Sequence, residues 1–208
     1  MPRAERRRAA AWLAALLLAV LLAVLAPPAG AQSRRGAEVT QLRLERGDDG
    51  VYLSAAVHFE LPPPVVDVLD KGIAVYFVAE AELFRERWYW TDRKVAEAAR
   101  HMRLAYQPLT RRWRLNVSPV PISQAMAGIT LNQNFDSLEE ALDAISRIGR
   151  LRLGDAADIG DATEHPVVFR FRLDTSQLPR PFQIGLVGQS DWNVAVERSA
   201  SLPLEALR

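Results

Sequence analysis

"IAVYFVAEAELFRERWYW", residues 73–90, decides the fold. Its first part, Ile73 to Val78, is apolar without a break. That pattern reads as a strand buried on both faces, so it belongs in the middle of a sheet. Further along, the faces separate. Leu83, Arg85, Arg87 and Tyr89 alternate with Phe84, Glu86, Trp88 and Trp90, because successive side chains on a strand point to opposite sides. The far end of this strand therefore presents tryptophan, tyrosine and arginine together.

On either side the same period of two recurs. "AEVTQLRLER" carries Val39, Leu42 and Leu44 in an extended run, and "GDDG" turns it, with Asp49-Gly50 as the local turn signal. "VYLSAAVHFE" places Val51, Leu53, Ala55, Val57 and Phe59 on one face and Tyr52, Ser54, Ala56, His58 and Glu60 on the other. "LPPPVVDVLDKG" predicts a short helix over 64–70 that lays Val65, Val66 and Leu69 on the sheet and ends at Gly72. Residues 95–118 read as a hairpin. Met102, Leu104 and Tyr106 lie on one face of its first strand, and Trp113, Leu115 and Val117 on one face of its second.

One helix is written clearly. Ser137 at the N-cap and Glu140 three residues later form a capping box, and Leu138, Leu142, Ile145 and Ile148 make a stripe that Gly149 ends. "RLGDAADIGDATEHP" then reads as a polar loop and "VVFRFRLD" as an alternating strand. "FQIGLVG" and "WNVAVE" close the fold as two further strands. About seven strands with turns between them predict a mainly β chain. The expectation is an antiparallel, β-sandwich-like domain with one inserted amphipathic helix. The alternative is α+β, with the helix on one face of a sheet.

Residues 1–31 stand apart from this pattern. Arg3, Arg6, Arg7 and Arg8 precede an uncharged stretch, "AAAWLAALLLAVLLAVLA", at 9–26, followed by Pro27-Pro28 and Ala29-Gly30-Ala31. A basic start, an apolar stretch and a small-x-small site make a secretory signal peptide, with cleavage expected after Ala31. The mature chain is then a single β-rich domain, 32–208, exported and periplasmic. The rival reading is an inner-membrane anchor at residues 9–26, with the domain outside the cytoplasm. A link to a membrane is expected only through an uncleaved leader, if cleavage fails. Cleavage removes those four arginines and Glu5 from totals of 26 basic and 25 acidic side chains, leaving 22 against 24. A mature domain that is nearly neutral has no electrostatic case for nucleic acid. With no cysteine, thiol catalysis, thiolate metal sites and disulfides are excluded.

Candidate chemistry is thin. His58, His101 and His165 are far apart and fit no metal spacing, and each reads as a surface or strand-face residue. Asp155, Asp158, Asp161 and Glu164 recur every three residues, where a calcium loop spaces its ligands by two. They read as a hydrated loop. Ser190 beside Asp191 lacks a placed base and a nucleophile elbow. Glu139-Glu140 falls on a helix surface. No catalytic residue, metal or cofactor is assigned. What remains is the strand end: Arg85, Arg87, Trp88, Tyr89 and Trp90, with a second basic and aromatic stretch at Arg111, Arg112, Trp113 and Arg114. One reading makes Trp88 and Trp90 sheet framework, with arginine stems covering the rings. The other makes the cluster a partner-binding patch, since these residue types anchor interfaces.

Several stretches together resemble the DUF4390 family of exported proteobacterial proteins. They are "AVYFVAEAELFRERWYWTDRKVAEA", "RLAYQPLTRRWRLNVS", "NFDSLEEALDAISRI", "FRLDTSQLPRPFQI" and "SDWNVAVE". The resemblance implies an exported domain with no catalytic residues to carry over, and an association with a membrane sensor kinase. The ending "ERSASLPLEALR" departs from the aromatic ending the family implies. Two functions follow as expectations. The first is a non-enzymatic envelope module that binds a protein partner. The second is a small-ligand-binding protein or hydrolase with a site built from loops such as 154–166.

Overall fold

A computed structural model describes residues 36–85, 93–122, 131–159, 164–179 and 192–206, all within one compact unit, Ser33–Arg208. The chain is mainly β. Strand β1 (Ala37–Gly47) and strand β2 (Gly50–Phe59) form a hairpin. The turn falls on Asp48-Asp49, one residue earlier than Asp49-Gly50, and Gly50 opens β2 at φ +151. A side chain at Gly50 would meet the carbonyl oxygen of Gly154 at 2.6 Å, so the glycine serves a close backbone approach as well as the turn. In β2, Val51, Leu53, Ala55 and Val57 are buried, as the alternation requires.

Helix α1 (Pro63–Asp70) begins on prolines and closes where the Gly72 amide donates to Leu69 O at 2.8 Å, with Gly72 at φ +78. It buries Val65, Val68 and Leu69, while Val66 is only half-buried. Positions 65, 68 and 69 are spaced i, i+3 and i+4 and so share the inward face, with Val66 at its side.

Strand β3 (Val75–Arg85) is interior to the sheet, between β4 (Arg93–Gln107) and β8 (Glu164–Leu173). Phe77, Ala79, Ala81 and Leu83 face the core, and Val78 on the other face is buried too. Strand β4 pairs with β5 (Arg112–Ser118) as the expected hairpin. Two strands escape the sequence reading. Strand β6 (Leu131–Phe135) pairs with β5. Strand β7 (Arg147–Gly154) begins where helix α2 (Leu138–Ser146) stops, and it pairs with β2. Ile148 is therefore a buried strand residue rather than the last turn of the helix, and Gly149 does not end α2. The sequence could not separate the two because Ile148 lies three residues after Ile145, in register with the helical stripe. The loop expected over 152–166 contains the end of β7, a short helix α3 (Ala156–Ile159) and the start of β8. "FQIGLVG" lies outside the described residues.

Strand β9 (Ala195–Ala206) continues well past "WNVAVE" into the divergent C-terminal segment. It pairs antiparallel with β8 up to Glu164↔Pro203, then parallel with β1 over Leu44↔Leu204, Glu45↔Glu205 and Arg46↔Ala206. The antiparallel expectation thus fails at one junction, because β9 overruns β8 and meets β1 heading the same way. The described strands make one sheet in the order β6-β5-β4-β3-β8-β9-β1-β2-β7. It curls until its halves pack face to face, in a sandwich-like manner. Phe59 on β2 lies 5.7 Å from Phe77 on β3 and 5.1 Å from Phe171 on β8. These strands are not neighbours in the sheet, so the rings meet across the core. Where the two halves approach, Arg100 on β4 donates to Gly149 O of β7 at 2.6 Å.

Candidate functional site

At the end of β3 the last cross-strand pair is Arg85↔Arg93. Arg87, Trp88, Tyr89 and Trp90 follow, and they lie outside the described residues. Arg85 is exposed, yet its guanidinium is engaged. Nη2 donates to Asp158 O at 3.0 Å and to Ile159 O at 2.9 Å. These are carbonyls left over at the end of α3, which a cation satisfies well. Arg85 thus ties the strand end to the acidic loop, two places that the sequence reading kept apart.

The outer face of β3, β4, β8 and β9 carries a row of ion pairs. Glu82 on β3 accepts from Lys94 on β4 at 3.2 Å and from Arg170 Nη1 on β8 at 2.7 Å. Arg170 Nε reaches Glu197 on β9 at 2.7 Å, and Lys94 also pairs with Glu97. The hydrogen bond from Arg170, then that from Lys94, lowers the Glu82 carboxyl from its ordinary value. Those to Glu97 and Glu82 raise Lys94. A second group sits toward the other end of β3. Arg172 contacts Glu80 at 3.2 Å and Asp174 at 3.6 Å. Burial lowers the nearby His101. Burial acts to raise Asp174, but the hydrogen bonds from Ser176 and Gln177 outweigh it and hold the carboxyl low.

Next to Glu82 along β3, the outer face turns apolar. Phe84, Pro166 and Val168, with Ser199 and Ser201 on β9, line an open groove of about 470 Å³. The groove lies at the end of β3, and Arg87 to Trp90 follow it in the chain. Its walls are strand residues, held by the cross-strand pairs Val168↔Ser199 and Pro166↔Ser201. Phe84 and Val168 are ordinary alternating residues in the sequence. Only the strand order brings them together with β9.

The remaining candidates disperse. His58 is exposed, whereas His165 is fully buried on the inward face of β8, opposite Leu202. His165 is a strand-face residue, as expected, but not a surface one, since residues 165, 167, 169 and 171 share one face and Val167, Phe169 and Phe171 are core. Asp155 pairs with Arg152 at 2.6 Å. Among the described residues no three His, Asp or Glu side chains gather to hold a metal, and no helix is long and apolar enough to cross a membrane. Glu140 is a cap rather than surface decoration, because its Oε2 accepts from the Asp136 amide at 3.2 Å. Ser190 and Asp191 lie outside the described residues. Trp113 is buried beside Tyr106, 4.9 Å between ring centroids, so the second basic and aromatic stretch presents its arginines and not its tryptophan.

The family model described as "Domain of unknown function (DUF4390)" matches residues 34–201. The chain belongs to the DUF4390 family. No curated protein and no solved structure matches it. The match ends within β9, so the last strand of this DUF4390 domain combines family sequence, Ala195–Ser201, with a tail the family model does not cover.

Proposed function

We propose that this DUF4390 domain is an exported, non-enzymatic module of the cell envelope that binds a protein partner. The observation that carries the reading is the open apolar groove of Phe84, Pro166 and Val168. It sits against a row of ion pairs and at the end of β3, which Arg87, Trp88, Tyr89 and Trp90 follow in the chain. An apolar centre with a polar rim, followed in sequence by arginine, tryptophan and tyrosine, has the make-up of a protein-binding surface. The association implied by the family resemblance makes the external part of a membrane sensor kinase the first partner to test. Export rests on the leader, residues 1–31, and N-terminal sequencing of the protein recovered from cells should find Gln32 first. An unprocessed Met1 would favour the anchor at 9–26.

The test of binding is a photocrosslinking side chain placed at Ser199 in intact cells, with one at exposed Glu139 as control. A discrete envelope protein captured from position 199 and not from 139 is the expected result. Its loss in an Arg87→Ala, Tyr89→Ala variant would extend the surface to the hairpin. Equal capture from both positions, or none from 199, would remove the groove as the binding face.

A further inference from the structure

A second surface, on the other half of the sheet, carries an inference that goes beyond this reading. Strand β7 does not pair evenly with β2. The register passes from Leu53↔Leu151 to Ala55↔Ile148, so Gly149 and Arg150 together oppose Ser54 in a bulge. Bulges re-aim side chains. Within this one, Arg150 takes the left-handed conformation, φ +46, which costs a side-chain-bearing residue about 1 kcal/mol. Glycine would avoid that cost, and a glycine stands next door. Gly149 itself has no positive φ, and a side chain added to it would meet nothing within 4 Å. The bulge thus puts the arginine where glycine fits best and the glycine where any residue would fit.

Three contacts hold Arg150 in that place. Its amide donates to Ser54 Oγ at 3.3 Å. Its guanidinium lies over the Tyr52 ring, 4.4 Å from the centroid. The ring is fixed in turn: it passes so close to Gly47 that a side chain there would come within 3.1 Å of it, and its hydroxyl bonds to Asp49. Across Ser54 on the opposite side stands Arg43, its direct cross-strand partner on β1. Arg43 and Arg150 are both exposed and neither is ion-paired among the described residues, whereas Arg147, Arg152, Arg170 and Arg172 all are. Arg43 and Arg150 thus occupy the positions on either side of Ser54, whose hydroxyl proton is not donated within the described residues.

We propose that Arg43, Ser54 and Arg150 form a docking point for a carboxylate side chain of an acidic protein segment. Two guanidinium forks and a hydroxyl match the acceptors of one carboxylate. The surroundings favour a discrete acidic residue over an anionic membrane. Glu45 stands opposite Tyr52, and Asp49 and Asp155 are also near, so no broad excess of positive charge surrounds Arg43 and Arg150. A lipid surface is held by a broad excess of cations.

The test is fluorescence anisotropy of a fluorescein-labelled alternating Glu-Ser peptide, using the protein as it is processed and purified from cells. Saturable binding that weakens with salt is expected, with affinity falling about tenfold in Arg43→Gln and in Arg150→Gly. Arg103→Gln, on the far half of the sheet, should leave it unchanged. Arg150→Gly suits the left-handed site, so its melting temperature should match or exceed that of the wild type, which separates recognition from folding. Absence of saturable binding, or wild-type affinity in Arg150→Gly, overturns the proposal. So does capture by phosphatidylglycerol vesicles that outcompetes the peptide, or displacement by inorganic phosphate at concentrations where acetate has no effect.

Discussion

The Glu82 carboxylate joins three strands through two cations, and this fixes how the face responds to acid. Its folded-state value is lowered by Arg170 and Lys94. The linkage stabilises the fold above the ordinary glutamate value of 4.5, and the contribution is lost as pH falls through the lowered folded-state value. Glu82→Gln should therefore be less stable than wild type at neutral pH, and the gap should close below pH 4.5. Urea titrations across that range check it, and a gap that is constant with pH would remove the ionic account. Arg85 makes a different kind of link. Arg85→Ala leaves two carbonyls of α3 without their donor, and should cost about 1 kcal/mol. Amide exchange should speed up over residues 155–159 and not in β1 or β2. Neither link could be read from the sequence. Arg85 stands out there through its company with Trp88 and Tyr89, while its partners come more than seventy positions later.

Local signals carried the individual elements where one pattern acted alone, and failed where two coincided. The β1–β2 hairpin, the β4–β5 hairpin and β8 follow from strict alternation, and the N-terminus of α2 follows from its cap. Ser137 Oγ accepts from the Glu140 amide at 3.1 Å, so Ser137→Ala should cost about 1 kcal/mol in equilibrium unfolding. The C-terminus of α2 was hidden because Ile145 and Ile148 satisfy a helix and a following strand equally. Once Arg147 is extended, Ile148, Leu151 and Leu153 turn inward and the strand is accounted for by burial. Strand β6 was hidden for another reason. "LNQNF" has little apolar content, and it is held by cross-strand polar contacts such as Asn116 with Asn132 and Arg114 with Asn134. Those depend on a neighbour that the sequence does not name.

For the whole molecule, the decisive element is β9, because among the described strands it is the one that pairs with both halves of the sheet. Its first part completes β8 over Ala195–Pro203, and its last three residues complete β1. The pairing order is set by this crossover and not by any local pattern. Composition and alternation therefore foretold a mainly β chain, whereas the groove between β3, β8 and β9 was not legible. The tail that departs from the family resemblance has a definite structural role here. Ending the chain after Pro203 would remove the parallel pairing to Leu44, Glu45 and Arg46 and take away half-buried Leu204. The expected loss is about 2 kcal/mol. Since β8 keeps its partners, amide exchange should rise along β1 at residues 44–46 and stay slow in β8. Uniform acceleration in both strands would instead mean that the halves unfold as one cooperative unit, with β9 acting on the entire core rather than at the seam.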